Sequence, residues 1–288
     1  MLHLESIAEL RAACDGARAR GLRVGLVPTM GSLHEGHRSL MRAARRGTDF
    51  VVVTIFVNPL QFSPNEDLDA YPRDLSGDLA QCAEERVDVV FAPSANEMYP
   101  NSAPVTTVRV DRLTNDLCGA ARPTHFDGVT TVVTKLFAIA GPCTAYFGQK
   151  DAQQLAVVTR MAQDLNLPVE VVGCPIVREP DGLAMSSRNE YLTPEQRAQA
   201  VVLNRSLTRA ADAIRDGERD PQKIAALVRD AVSGQSGVAL EYVEVRDPRT
   251  IEPLTTIEGS VLVALAAKVG TTRLIDNVIL EDTRCNAR

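Results

Sequence analysis

Apolar positions along this chain repeat with two different periods, and the points where the period changes mark out a layered α/β protein. Continuous apolar runs at 22–27, 50–57, 87–92, 144–147 and 169–176 have the length and β-branched content of buried strands. Pro28 is expected to stop the first of them. Between the runs, apolar residues fall at helical spacing. Helices are predicted at about 5–20, from His34 onward with Leu40, Met41 and Ala44 inward, at 75–85, and from 150 to about 165. A further one opens at His125, carries Val129, Val133, Leu136, Phe137 and Ala140 on one face, and is closed by Gly141-Pro142. Strands alternating with helices predict a Rossmann-like parallel sheet with helices on both faces. Residues 93–124 fit neither period, apart from a strand expected at 106–110.

Beyond Ile176 the pattern changes. A loop rich in glycine, serine and arginine occupies 178–189. Thr193 and Gln196 then have the spacing of a capping box, with Pro194 at the first helical position. One helix is predicted to about 215 and another from Asp220-Pro221, followed by strands near 240–245, 261–267 and 274–280. Residues 1–177 are therefore expected to form the Rossmann-like domain. Residues 178–288 are expected to form a smaller C-terminal α+β domain, hinged near 177–190.

Composition narrows the function. The chain has 288 residues with 37 acidic and 31 basic side chains, a formal net charge of −6. That balance argues against nucleic-acid or membrane-surface partners. With no run of about 18 apolar residues and no signal-like start, a cytoplasmic location is expected. The six cysteines are scattered without a CxxC pair, as in a reduced protein.

The candidate chemistry begins where the first strand meets its helix, at Met30, Gly31, Ser32, Leu33, His34, Glu35, Gly36 and His37. Glycines at 31 and 36 let the backbone turn close to a ligand. His34 and His37, three apart at a helix N-terminus, put two imidazoles beside unpaired N–H groups and the positive end of a helix dipole, which suits a polyphosphate. Zinc and ordinary surface histidines are the other readings of this stretch. Zinc is the poorer fit, because it needs three or four ligands and the chain has four histidines, without HExxH spacing. In an open parallel sheet ligands bind beyond the C-terminal strand ends. His34, His37, Asn58, Gln61, Lys150, Asp151, Gln154 and Arg178 are all predicted at that rim. Ser186, Ser187 and Arg188 have the small hydroxyls and guanidinium suited to phosphate oxygens.

Residues 30–37 resemble the HxGH-type signature of the nucleotidylyltransferase superfamily, and Met185-Ser186-Ser187-Arg188 resembles its second signature. More closely, the chain resembles the pantothenate synthetase (pantoate–β-alanine ligase) family. The matching blocks are VPTMGSLHEGH at 27–37, TIFVNPLQF at 54–62, EDLDAYPR at 66–73, RPTHFDGVTTVVTKLF at 122–137, FGQKDAQQL at 147–155 and DGLAMSSRNEYL at 181–192.

The resemblance implies ATP-dependent condensation of pantoate with β-alanine through a pantoyl adenylate. It implies ATP contacts from residues 30–37, Gly148, Gln149, Lys150, Asp151, Val177, Met185, Ser186, Ser187 and Arg188. His34, His37, Lys150 and Arg188 would serve the phosphoryl chemistry. Substrate contacts are implied for Gln61, Gln154, Met30, Phe56, Asn58 and Val133. Mg²⁺ near Asp78 and Gln81 and a homodimeric assembly are implied as well. Three departures stand out: Gln149 and Ala152 replace commoner residues, Cys118 stands where a glutamate is usual, and Gly77 stands where some relatives carry an aspartate. The nearest rival reading is an adenylyltransferase that ends at a dinucleotide. A class I tRNA synthetase and a non-catalytic nucleotide-binding protein are the others.

Overall fold

In the computed structural model, which describes residues 1–62, 68, 71–100 and 104–281, the chain separates into two compact units. The first comprises Met1–Gln149 and Val157–Pro175; the second comprises Lys150–Ala156 and Ile176–Arg288. The first unit runs β1 (Leu2–Leu4), α1 (Ile7–Ala19), β2 (Val24–Thr29), α2 (Glu35–Gly47), β3 (Phe50–Ile55), α3 (Leu75–Glu84), β4 (Val89–Phe91), α4 (Ala95–Met98), α5 (Cys118–Ala121), α6 (His125–Ala140) and β5 (Cys143–Gly148). Next come α7 (Ala152–Asp164), whose first residues group with the second unit, and β6 (Val169–Cys174).

Six parallel strands lie in the order β1-β4-β3-β2-β5-β6. From β2 the chain winds outward through β3 and β4, then returns to place β5 on the other side. The switch point therefore lies between β2 and β5, where the strand ends of an open α/β sheet leave a crevice. Helix α2 buries Leu40, Met41 and Ala44 against Val27, Val51, Val53 and Tyr146, so the helix that follows β2 is fixed to the sheet by its apolar stripe. Arg45 secures its far end through Asp88 at 2.5 Å, and Asp88 also accepts from the Val51 N–H at 2.8 Å.

Three details differ from the sequence pattern. β2 continues through Pro28 to Thr29, where Pro28 pairs with Thr54. The Thr29 carbonyl accepts from Phe56 of the β3 segment, so Pro28 faces the β5 side, where the ladder has ended at Leu26. The next rung on that side would need the N–H that proline lacks, so Pro28 ends the β5 ladder while the β3 ladder runs on. The three-residue edge strand β1 has no periodicity to reveal it. Among the described residues 104–124 there is no strand; the Thr131 hydroxyl instead accepts from the Val108 N–H at 3.0 Å, and Thr130 donates to the Val108 carbonyl. Part of the 66–73 block lies outside the described residues. Of the six cysteines, the five in the described residues are free thiols, with Cys14, Cys82 and Cys174 buried.

The second unit contains α8 (Pro194–Arg215), α9 (Pro221–Ser233) and the antiparallel sheet β7 (Val238–Arg246), β8 (Val261–Val269) and β9 (Thr272–Leu280). The Thr193–Gln196 capping box forms as the spacing predicts, with Gln196 N–H to Thr193 Oγ1 at 3.2 Å and Thr193 N–H to Gln196 Oε1 at 3.0 Å. Leu203, Leu207, Ile214, Ile224 and Val228 pack with Val243, Val263 and Leu265 to make this unit's own core.

Candidate active site

The loop after β2 turns at Gly31 (φ 83°) and Ser32 (φ 51°) before α2 begins. Such a turn needs external support, and Asp78 on α3 supplies it. Its carboxylate, 2 % exposed, accepts from Ser32 N–H at 3.0 Å and Leu33 N–H at 2.8 Å. A Cβ at position 31 would stand 2.8 Å from Asp78 Oδ2, so the glycine also makes room for the carboxylate. Gln81 adds a bond from Nε2 to the Leu33 carbonyl at 3.1 Å. Burial raises the Asp78 carboxyl above its ordinary value, opposed by the Leu33 and Ser32 N–H groups.

This support sets the two histidines. His34 is the N-cap of α2, one step outside the helix, and its Nδ1 accepts from Gly36 N–H at 3.1 Å. His37 returns the cap, its Nδ1 accepting from His34 N–H at 3.3 Å. The rings lie 4.1 Å apart between centroids, tilted by 36°. A backbone N–H can only donate, so both Nδ1 atoms are acceptors, and in the neutral rings the hydrogens sit on Nε2. A reciprocal cap made of two imidazoles thus sets both rings at the positive end of a helix. Glu35 is paired with Arg42 and Arg38.

Along the same rim, Asn58 caps a 3₁₀ turn, Pro59–Gln61, that follows β3. The turn packs so closely on α6 that a Cβ at Gly128 would come within 2.3 Å of the Leu60 carbonyl oxygen. Gln61 is 9 % exposed, and its Nε2 lies 3.0 Å from Met30 Sδ, which brings the β2 and β3 loops together. Its carbonyl accepts from His125 Nδ1 at 2.9 Å and from Arg122 at 3.3 Å. Phe56, just past the end of β3, and Val133 on α6 are both buried. Tyr99, His125 and Arg122 had no place in the sequence reading of the site. Tyr99 sat in an aperiodic stretch, and Arg122 and His125 opened the family-like block at 122–137 with no role attached to them.

Gly148 and Gln149 end the first stretch of the first unit, and the remaining candidates lie in the second. Lys150 and Asp151 lie in a 3₁₀ turn (Gln149–Asp151) rather than on one helical face with Gln154, because the first turn before α7 is tightened. Asn277 on β9 donates to the Lys150 carbonyl at 2.9 Å. Its neighbour Asp276 takes Arg178 in a bidentate pair at 2.7 and 2.9 Å, which assigns Arg178 to structure rather than to the rim. Between Val177 and Met185 the loop closes with a Met185 N–H to Val177 O bond at 3.0 Å. Ser186 caps a 3₁₀ turn, Ser187–Tyr191, by accepting from Arg188 N–H at 3.3 Å. Among the described residues Lys150 and Arg188 make no ion pair.

Among the described residues no group of three or more His, Cys, Asp or Glu is arranged to hold a metal ion. Both Asp78 oxygens and the Gln81 nitrogen are engaged with the backbone of 32–33, so the pair does not form a protein cage for Mg²⁺. Gly77 belongs to the same local arrangement: a Cβ there would meet Asp74 Oδ2 at 2.3 Å, within the N-cap of α3.

A parallel sheet with its switch point beside a glycine turn and a two-histidine helix cap defines a nucleotide-binding α/β protein of the HxGH type. Within that class the chain belongs to the pantoate-beta-alanine ligase family, whose sequence model matches residues 3–279. The pantothenate synthetase of Heliobacterium modesticaldum is 55 % identical over 278 residues, covering 96 % of this chain and 99 % of the relative. That of Acetivibrio thermocellus is 54 % identical with the same coverage. The crystal structure of pantothenate synthetase from Thermus thermophilus superimposes with a TM-score of 0.90 at 45 % identity, covering 96 % of this chain and 99 % of that one. The pantoate-beta-alanine ligase of Francisella tularensis, complexed with beta-gamma ATP and beta-alanine, gives 0.76 at 31 % identity, covering 97 % of each chain.

Proposed function

We infer that this protein is a pantoate–β-alanine ligase. It activates the pantoate carboxylate with ATP as an acyl adenylate, releasing pyrophosphate, and then condenses it with β-alanine, releasing AMP. The observation that carries the reading is the reciprocal His34–His37 cap, set in a chain that belongs to this family over nearly its whole length.

A carboxylate becomes an acylating agent only when one of its oxygens joins a good leaving group, and AMP provides one. Attack on the α-phosphate places charge on phosphate oxygens. His34 and His37, at the positive end of α2, stabilise it. Lys150, Ser186, Ser187 and Arg188 serve the phosphates, and Gly148, Gln149, Asp151, Val177 and Met185 the rest of ATP. Gln61 and Gln154 hold pantoate beside Met30, Phe56 and Val133. Mg²⁺ enters with ATP, carried by phosphate oxygens and water. The protein works as a homodimer in the cytoplasm; light scattering at twice 31.2 kDa checks the assembly.

Pyrophosphate exchange tests the reaction order. With pantoate, ATP and Mg²⁺ but no β-alanine, labelled pyrophosphate is expected to enter ATP, with sustained AMP release only after β-alanine is added. Exchange that requires β-alanine would mean a concerted reaction, and exchange without pantoate a nucleotidyl-enzyme. Either outcome overturns the adenylate sequence.

A further inference from the structure

We propose that Tyr99 and Asn58 are positioning residues that fix Gln61 as an obligate hydrogen-bond donor toward an acceptor oxygen of the acid substrate. The proposal rests on the reading of Gln61 as a pantoate contact and adds what that contact must be.

An amide side chain can face either way until groups of fixed polarity decide it. Asn58 meets two such groups on the main chain. Its Nδ2 lies 3.1 Å from the Gly128 carbonyl, which can only accept. Its Oδ1 lies 3.4 Å from the Leu60 N–H, which can only donate. The sense of the Asn58 amide is therefore set by backbone, and the remaining Nδ2 hydrogen points to Gln61 Oε1 at 3.1 Å. Gln61 must then turn its oxygen to Asn58 and its NH₂ away from it. On that outer side Nε2 meets Met30 Sδ, a weak acceptor that competes poorly with a substrate oxygen.

Tyr99 reinforces the start of the relay. Its hydroxyl is 2.9 Å from Asn58 Oδ1, and since that oxygen cannot donate, the phenol must. The bond is shorter than the one from Leu60 to the same atom. Burial pushes the phenol upward from its ordinary value, which keeps its proton in place at any working pH. The ring is held by Phe56 at 6.0 Å between centroids and by Lys135 Nζ at 5.6 Å. Tyr99, Asn58 and Gln61 are 5 %, 1 % and 9 % exposed, so water does not readily replace any partner. The polarity runs one way, from phenol to Asn58 to Gln61 to substrate, and each bond polarises the next. A donor so fixed suits a carboxylate oxygen or a hydroxyl lone pair and rejects a cationic amine in the same place.

Three variants test the relay by steady-state kinetics with pantoate and ATP varied separately. Gln61→Ala comes first: if its pantoate KM is normal, the contact itself is wrong and the function reading loses this residue. Given that contact, Tyr99→Phe should lower kcat/KM for pantoate about tenfold, mainly through KM, with the ATP KM within about twofold of wild type. Gln61→Glu keeps the shape and still accepts from Asn58 but offers only acceptors. It should be at least about tenfold worse than Gln61→Ala for pantoate, improving as the introduced carboxyl is protonated toward acid pH. Should Tyr99→Phe not fold, Asn58→Asp replaces it: an oxygen would then face Gln61 Oε1, and the same pantoate-selective loss is expected. The relay is overturned, with the Gln61 contact left standing, by three results. They are pantoate kinetics in Tyr99→Phe unchanged within twofold, equal losses for ATP and pantoate, or a Gln61→Glu enzyme as good as Gln61→Ala.

Discussion

The two regions that carry the proposed chemistry are fastened to the protein in opposite ways. In the first unit, residues 30–37 and 58–61 are held by polar groups that are mostly buried: Asp78 and the half-buried Gln81 at one loop, Asn58, Tyr99 and His125 at the other. In the second unit, Ser186, Ser187 and Arg188 lie half-buried in a turn held mainly at its flank, where Asn189 donates to Glu179 at 2.9 Å and to the Ala184 carbonyl at 3.1 Å. Groups that must meet a developing charge gain from having no freedom to reorganise. A phosphate-binding loop gains from being able to open and close. Rigid donors and a tethered loop suit those two tasks.

The largest expected effect is in the rigid region. His37→Ala should lower kcat for adenylation about 10²-fold or more in stopped-flow or exchange assays. Because His37 also caps α2, the mutation alone mixes two losses. His37→Gln supplies the acceptor usual at that capping position, so it should recover stability without recovering turnover. Recovery of both would reduce the ring to a cap. Lys150→Ala should cost a similar factor in kcat, yet leave thermal stability almost unchanged.

Asp78→Asn is expected next, at about tenfold in kcat, since one of the two N–H groups at Ser32 and Leu33 would face an NH₂ and the other keep only a neutral acceptor, while pantoate and ATP still bind. If kcat were untouched, the loop would owe its conformation to something other than Asp78, and the contrast between the regions would weaken.

In the tethered region a mutation should act on order before chemistry. Asn189→Ala removes both anchoring bonds and is expected to cost about 1–3 kcal/mol in stability. It should also speed proteolysis within 181–190. ATP with Mg²⁺ should slow that cleavage in the wild type; equal cleavage with and without ATP would count against closure.

The smallest effect concerns pH. The hydrogen bond from Arg197 holds the Glu179 carboxyl below its ordinary value of 4.5, helped by Asn189. A depressed carboxylate stabilises the fold fully above that value and loses its contribution as pH falls through the folded one. The difference in melting temperature between wild type and Glu179→Gln should therefore be present at pH 6 and shrink below about pH 4.5.

Much of this molecule was legible as sequence. The alternating periods located the long strands and helices of both units to within a few residues, though not β1, α4 or α5, and they suggested a strand at 106–110 that does not form; Thr193–Gln196 capped its helix as spaced. The strand–glycine–histidine order put His34 and His37 at a helix start. All of these depend on neighbours a few positions apart, whose geometry is set by the local backbone. What tertiary structure alone decided are the partners of the polar side chains. Asp78 supports a turn 45 and 46 residues away, Tyr99 reaches Asn58 across 41, and Arg178 is neutralised by Asp276 across 98. The same holds for the continuation of β2 through Pro28, carried by β3 alone once proline ends the β5 ladder. Hydrophobic burial follows a repeating pattern that composition can encode. A buried hydrogen bond needs one donor and one acceptor at a definite distance and angle, and only the path of the folded chain brings such pairs together.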